Sequence, residues 1–211
     1  MCLSSFVYRS QKPDSLWKGI DSGAKKKGKK GKVFHIYLVK MELTHEAIID
    51  CIKTGNHEKL LKLSKMPSEK SFRDLIKIRD IENRDALLLA TRGDHQFADY
   101  NIVKILLDNG ADVNVTDING ASPLLFLCEK YKKYSDLKLF KLLINHGANV
   151  NCQRNNGRTP LHECIMRGND EEMRVLLTNG ARLDLEDNYG WTPLAFCCVH
   201  SKHGKYIQTY M

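Results

Sequence analysis

Apolar residues recur three or four positions apart in three stretches of the chain, and each stretch ends at a glycine. The stretches are "YNIVKILLDNG" (100–110), "LKLFKLLINHG" (137–147) and "EEMRVLLTNG" (171–180). This spacing places the apolar side chains on one face of a helix, and a glycine provides the left-handed backbone at which helices commonly end. We therefore predict three amphipathic helices whose core stripes are Ile102/Ile105/Leu106/Leu107, Leu139/Leu142/Leu143 and Met173/Leu176/Leu177.

A turn followed by a shorter apolar helix pattern precedes each of these helices. The turns "DINGASPLLFLC", "RNNGRTPLHECI" and "DNYGWTPLAFCC" align on Gly120, Gly157 and Gly190, and "DIENRDALLLAT" joins the same register at Asn83. The four positions are 37, 37 and 33 residues apart. A fixed period of this size is typical of a solenoid of repeated units. A weaker helix pair, "THEAIIDCIKTGNHEKLLKLSK" at 44–65, precedes the first turn.

The repeats resemble the ankyrin-repeat family, whose unit has about 33 residues and a TPLHxA-like turn. The resemblance covers about residues 79–211 and implies an all-α ankyrin-repeat solenoid, in which helix–turn–helix units stack and short β-hairpin-like turns connect them. We expect a degenerate cap at about 44–78, followed by repeats at 79–115, 116–152, 153–185 and 186–211, the last of them truncated. Four extra residues in each of the first two repeats are placed between the helices, within 92–101 and 130–138.

The positive charge lies almost entirely at the N-terminal end of the chain. The formal net charge is +8, and residues 1–40, with ten Lys+Arg and two Asp+Glu, carry all of it. The main basic tract comprises Lys25, Lys26, Lys27, Lys29, Lys30 and Lys32. We expect a disordered tail over 1–40, which serves nuclear import, associates weakly with acidic surfaces or RNA, or only solvates the chain. If Met41 is the working start, the tail is absent from the protein. Residues 41–211 carry no net formal charge, so they show no excess of basic residues for binding nucleic acid.

The sequence also indicates the cellular compartment and whether the chain associates with a membrane. No apolar run reaches the roughly 20 residues of a membrane span, and the first residues do not form a convincing signal peptide. The seven cysteines are an odd number without a CxxC pair, so free thiols in a reducing compartment are the natural interpretation. We expect a cytoplasmic or nuclear protein without membrane association.

Two clusters of chemically active side chains invite an enzymatic or metal-binding interpretation. In 155–180, the resemblance makes His162 a turn-stabilising residue and Cys164 a substitute for a small buried alanine, and we expect Glu163, Glu171 and Glu172 to face outward. In "CCVHSKH" (197–203), one short helix cannot direct all its thiols and imidazoles to one tetrahedral zinc ion. No nucleotide, hydrolase or metalloprotease motif is present. We therefore expect no enzyme activity, no cofactor, no metal and no small-molecule substrate.

The family binds other proteins through a concave face made of turn tips and first helices. Carried over by position, the partner-binding residues are Ile81, Glu82, Arg84, Ile118, Asn119, Ala121, Glu129, Lys130, Asn155, Asn156, Arg158, Met166, Arg167, Asn188, Tyr189, Trp191, Val199 and His200. Tyr, Trp, Arg and Met are enriched at interface hot spots, so repeats three and four are predicted to provide the main anchor. Alternatively, Trp191 and Tyr189 only cover the C-terminal edge.

The resemblance also implies a modification site. The asparaginyl hydroxylase that acts on ankyrin repeats favours an asparagine with a leucine eight residues earlier. Asn114 with Leu106 and Asn151 with Leu143 meet this condition, whereas the third equivalent is Asp184. The alternative is that asparagine simply suits the turn.

We expect a non-catalytic adaptor or inhibitor that binds a partner protein. The alternatives are a substrate-targeting subunit of an enzyme complex such as a ubiquitin ligase, and nucleic-acid association through the basic tail.

Overall fold

A computed structural model describes residues 43–67, 70–92, 98–129 and 136–199 of the chain. The lysine tract Lys25–Lys32, Lys130 and His200 lie outside the described residues, as does the whole tail, 1–40, with the disorder and the roles predicted for it. Val199 is described only as part of a helix.

The described residues form helices and contain no strand. In chain order these are α1 (His45–Thr54), α2 (His57–Ser64), α3 (Phe72–Leu75), α4 (Ala86–Arg92), α5 (Tyr100–Asp108), α6 (Pro123–Cys128), α7 (Leu137–Asn145), α8 (Pro160–Arg167), α9 (Asp170–Thr178) and α10 (Pro193–Val199). The pair α1–α2 confirms the predicted helix pair at 44–65, and α3 is a short helix that the apolar pattern did not reveal. None of the helices in this part of the chain is both long and apolar enough to cross a membrane.

The helices stack in two layers. Helices α1, α4, α6, α8 and α10 contact one another in sequence as an inner layer, and α2, α5, α7 and α9 do the same as an outer layer. In each unit whose two helices are described, the inner helix packs on the outer one. Together with the turns described below, this arrangement confirms the predicted all-α solenoid.

Side-chain caps fix where the repeat helices begin. The hydroxyl oxygens of Ser122 and Thr159 accept hydrogen bonds from backbone N–H groups of α6 and α8, and a proline follows each cap. Asp99 and Asp136 cap the outer helices α5 and α7 in the same way. Such caps satisfy N–H groups that have no partner within the helix, and proline fits the next position because it has no N–H to satisfy.

The predicted stripes form the core between the layers. Leu106, Leu143 and Leu176 are completely buried, and Ile105 and Leu177 are partly buried against the same cluster. Cys164 and Cys197 are buried at the position that Ala90 occupies in the first repeat, which confirms that these thiols act as compact apolar side chains.

The expectation that three glutamates face outward is wrong for two of them. Glu171 is exposed, but Glu163 and Glu172 are each only 3% exposed. Glu163 lies on an inner helix that has neighbours on both sides, and its Oε1 is 3.9 Å from the Arg158 guanidinium. A nearby cation offsets part of the cost of burying a carboxylate.

Candidate functional site

The tip of each repeat is a tight turn that hydrogen bonds hold in place. In repeat two, the Asp117 N–H donates to the carbonyl of Ala121 at 3.1 Å. One carboxylate oxygen of Asp117 accepts from the N–H groups of Asn119 and Ala121, both at 2.8 Å. Asp80 and Asp187 tie the tips of repeats one and four in the same way. Ala121 is completely buried, so the prediction that it belongs to the partner-binding surface is wrong.

Repeat three departs from this series because Arg154 replaces the aspartate. The backbone turn is kept, since the Arg154 N–H donates to the Arg158 carbonyl at 3.1 Å. Asn156 accepts from the Arg158 N–H at 3.1 Å, and Gln153 donates to the Gly157 carbonyl at 2.7 Å. Other side chains therefore stabilise this tip, and the Arg154 guanidinium instead pairs with Glu129.

A ladder of backbone hydrogen bonds joins successive tips. The N–H groups of Ile118, Asn155 and Asn188 donate to the carbonyls of Glu82, Asn119 and Asn156 at 3.1, 2.9 and 3.0 Å. The amides of Asn155 and Asn188 also donate to carbonyls of the preceding tip. The four tips thus form one continuous row in which hydrogen bonds connect each tip to the next.

Large apolar side chains project from this row. The exposed fraction is 99% for Ile81, 57% for Ile118, 79% for Tyr189 and 42% for Trp191. The repeat register selected all four positions. Asn119, Asn155 and Asn188 are also exposed, so the row combines apolar side chains with amide groups.

The predicted anchor in repeats three and four is partly occupied by contacts within the fold. The Arg158 guanidinium lies 5.5 Å from the centre of the Phe196 ring, and its Nε is 3.7 Å from the Asp187 carboxylate. The Trp191 ring meets the Phe196 ring edge-on at 5.9 Å. Met166 packs against the core, and Met166 and Arg167 are both half-buried. Arg158 therefore helps to hold repeat four onto repeat three.

His162 links the same two repeats. It is completely buried. The Thr159 N–H donates to its Nδ1 at 3.1 Å, so the proton lies on Nε2, which donates to the Trp191 carbonyl at 2.9 Å. Burial lowers the pKa of His162. The structure thus supports the interpretation of this residue as part of the scaffold.

A pocket of about 580 Å³ opens between the tips of repeats one to three and the inner helices of repeats one and two. It brings together four predicted residues, Glu82, Ile118, Asn119 and Glu129, and four that sequence reasoning missed, Arg92, Asp117, Phe126 and Arg154. The sequence did carry one signal for Arg154. This arginine replaces the aspartate that stands at the same turn position in the other repeats, as Asp80, Asp117 and Asp187. Burial raises the pKa of Glu129, although the neighbouring Arg154 opposes this effect.

Ion pairs line one wall of the pocket. One Glu82 oxygen lies 3.0 Å from Arg92 Nη1 and 2.8 Å from Arg84 Nη1. Arg84 also pairs with Asp80 at 2.8 Å. The predicted residue Arg84 therefore stabilises the first tip and contacts Glu82 of the pocket wall.

Each of the two candidate hydroxylation residues forms hydrogen bonds to the next repeat. The Asn114 amide donates to the Gly147 carbonyl at 3.1 Å and accepts from the Asn149 N–H at 2.8 Å. Asn151 makes the matching pair with Gly180 and Arg182 at 3.0 and 2.8 Å. Both polar atoms of each amide are engaged, which accounts for asparagine at these positions; hydroxylation stays a prediction.

Candidate metal ligands do not converge among the described residues, where no group of three or more His, Cys, Asp and Glu side chains could hold an ion. Cys197 is buried, and burial raises its pKa to about 11, whereas Cys198 is exposed. The histidines of the "CCVHSKH" segment fall outside this part of the chain.

Comparison with known proteins gives a family. The family model "Ankyrin repeats (3 copies)" matches residues 124–209, and the family model "Ankyrin repeat" matches residues 82–118. Together the two matches cover more than half of the chain. No curated protein matches the chain.

Proposed function

The chain belongs to the ankyrin-repeat family, whose repeats are generally protein–protein interaction modules, and we propose that it binds a partner protein. The binding surface in this proposal is the row of tips together with the adjoining inner helices. The protein acts without catalysis, as an adaptor or inhibitor that masks part of the partner. A substrate-targeting role in a larger enzyme complex uses the same surface and is the second candidate.

The row of exposed apolar side chains at the tips is the observation that supports this proposal. Isolated exposed apolar residues are ordinary, but a contiguous exposed patch marks an interaction site. Here Ile81 and Ile118 stand on the adjacent tips of repeats one and two, and Tyr189 stands on the tip of repeat four, in a row in which each tip is hydrogen-bonded to the next. A rigid platform binds at a lower entropic cost than a mobile loop, because its residues are already ordered.

Affinity capture followed by mass spectrometry, carried out with the full chain, tests the proposal. The test variant combines Ile118→Ala with Tyr189→Ala, since both side chains are mostly exposed. Arg158→Ala is unsuitable because that residue also holds repeat four in place. The control is Leu61→Ala, which shortens an exposed apolar side chain on the outer helix α2.

We expect the wild-type chain and the control to retain the same protein and the double variant to lose it. Truncating an interface hot spot costs about 2 kcal/mol or more, so affinity should fall at least about 30-fold. Retention by the double variant would contradict the proposal. Capture abolished by nuclease or high salt would instead favour nucleic-acid association through the basic tail.

Location is a separate proposal. We propose that the protein works in the cytoplasm or nucleus and that the tract Lys25–Lys32 promotes nuclear import. A reporter fused to residues 1–40 should accumulate in the nucleus, and an even distribution would remove the import signal from the proposal.

A further inference from the structure

We propose that the pocket between repeats one, two and three receives a basic side chain, an arginine or a lysine, of the partner protein. This inference rests on the proposed function, because the pocket adjoins the row of tips. It adds a specific recognition element, which no family match supplies.

The pocket is large enough to admit a long side chain, and its walls suit the methylene groups and the cationic end of one. A volume of about 580 Å³ lies within the range of about 300–1,000 Å³ for pockets that hold small ligands. The Phe126 ring contributes an aromatic wall, and Ile118 contributes an apolar one. Arginine and lysine lay their methylene groups along apolar surfaces, and their cationic groups are attracted to aromatic faces.

The charges of the lining residues favour a cation. Among the described lining residues, the carboxylates of Glu82, Asp117 and Glu129 outnumber the guanidinium groups of Arg92 and Arg154, and Arg84, which also contacts Glu82, is itself paired with Asp80. Both guanidinium groups already face carboxylates, Arg92 at Glu82 and Arg154 at Glu129. An incoming anion would have to displace one of these pairs and would then lie beside the remaining carboxylates.

Two carboxylates are in a position to receive the cation. Asp117 uses Oδ1 for two backbone N–H groups, and its Oδ2 has no hydrogen-bond partner within the described ranges. Among the described residues, Glu129 forms an ion pair with Arg154, whose buried Nε reaches no acceptor there. A guanidinium therefore already lies against Glu129, and a partner cation that approaches this carboxylate competes with it.

The test uses the isotope-labelled full chain and two small probes, Nα-acetyl-arginine methylamide and its neutral analogue Nα-acetyl-citrulline methylamide. These probes have nearly the same shape and differ in charge. We expect the arginine probe to shift amide resonances around Asn119 and Phe126 saturably, with a dissociation constant of about 1–10 mM, as befits a single contact. The citrulline probe should bind at least about tenfold more weakly.

Three variants identify the groups responsible. Glu129→Gln should weaken binding of the arginine probe about tenfold, because the charged hydrogen bond is lost. Glu171→Gln, the same change at an exposed site on α9, should leave binding unchanged. Arg154→Met should strengthen binding severalfold, because it removes the resident competitor for Glu129. The amide spectrum of each variant shows whether the repeats remain folded.

Equal binding of the two probes, wild-type affinity in Glu129→Gln, or weaker binding in Arg154→Met would overturn the inference. The last result would indicate an anion pocket. If affinity capture identifies a partner that depends on Ile118 and Tyr189 while the arginine probe does not bind, the proposed function stands and the cation pocket alone is wrong.

Discussion

At the residue scale, His162 couples the stability of the fold to pH. Its imidazole is buried in the neutral form, with Nδ1 accepting and Nε2 donating, and burial lowers its pKa below the ordinary value of about 6.5. The unfolded chain therefore binds the proton more readily than the folded chain. Its contribution to stability is complete above about pH 6.5 and is lost as the pH falls below that value.

We predict that His162→Leu, the residue type found at Leu125 in repeat two, reduces the loss of stability between pH 7.5 and pH 5. The variant should lose about 1–2 kcal/mol of unfolding free energy at pH 7.5, because the hydrogen bond to repeat four disappears. Urea unfolding at the two pH values measures both effects. The control is His57→Gln, which removes an imidazole with a side chain 45% exposed. An unchanged pH dependence in His162→Leu would show that this residue is not the pH-sensitive group.

The repeat register predicts the position of a residue better than its contacts. It selected the exposed Ile81, Ile118 and Tyr189, because these positions depend only on the place within the repeat. It did not predict that Arg154 pairs with Glu129, since that contact joins two repeats and depends on the distance between their tips. It also treated Arg158 as a free surface residue, although the Phe196 ring from the next repeat lies close to its guanidinium.

At the element scale, successive tips approach each other closely enough to require glycine. Gly157 has φ +79°, and a Cβ added there would lie 2.6 Å from the backbone nitrogen of Asn188 in the next tip. Gly190 has nearly the same φ, +78°, but no atom among the described residues lies within 4 Å of its added Cβ. The two positions therefore separate the cost of backbone strain from the cost of a clash between tips.

We predict that Gly190→Ala costs about 1–2 kcal/mol, the penalty of left-handed backbone for an L-residue. Gly157→Ala should cost at least about 1 kcal/mol more, because the tip of repeat four must also move away. Urea unfolding of both variants gives the comparison. Equal costs would mean that the tips separate without resistance and that the ladder contributes little to stability.

The helices themselves were largely predictable, because each carries its own local signals. The turn sequence with its cap and proline located α6, α8 and α10, and the apolar stripes located α5, α7 and α9. Helix α3 was missed because its four residues, Phe72–Leu75, are too few for a periodic pattern. Phe72 and Leu75 belong to the buried core that the other repeats also form, and a four-residue segment does not reveal such burial.

At the scale of the whole molecule, the main helix–helix contacts among the described residues lie within a unit or join it to its neighbours. Among the described elements, α10 contacts α8 of the preceding repeat, whereas α1 contacts α2 and α4. The stability of such a solenoid is approximately a sum of repeat and nearest-neighbour terms. A destabilising substitution at one end of the solenoid should therefore increase local opening at that end and leave the other end unaffected.

We predict that Phe196→Ala opens the C-terminal end without loosening the N-terminal cap. Phe196 contacts the rings of His162 and Trp191 and the guanidinium of Arg158, so its removal should cost about 3–5 kcal/mol locally. Native-state hydrogen exchange should show faster exchange for amides of α10 and α8 and unchanged exchange through local opening for α1 and α2.

The reciprocal variant Leu60→Ala, at a fully buried cap position, should reverse the pattern. Equal acceleration across all helices in either variant would show that the array opens as one cooperative unit. The row of tips could then not adjust to a partner one repeat at a time.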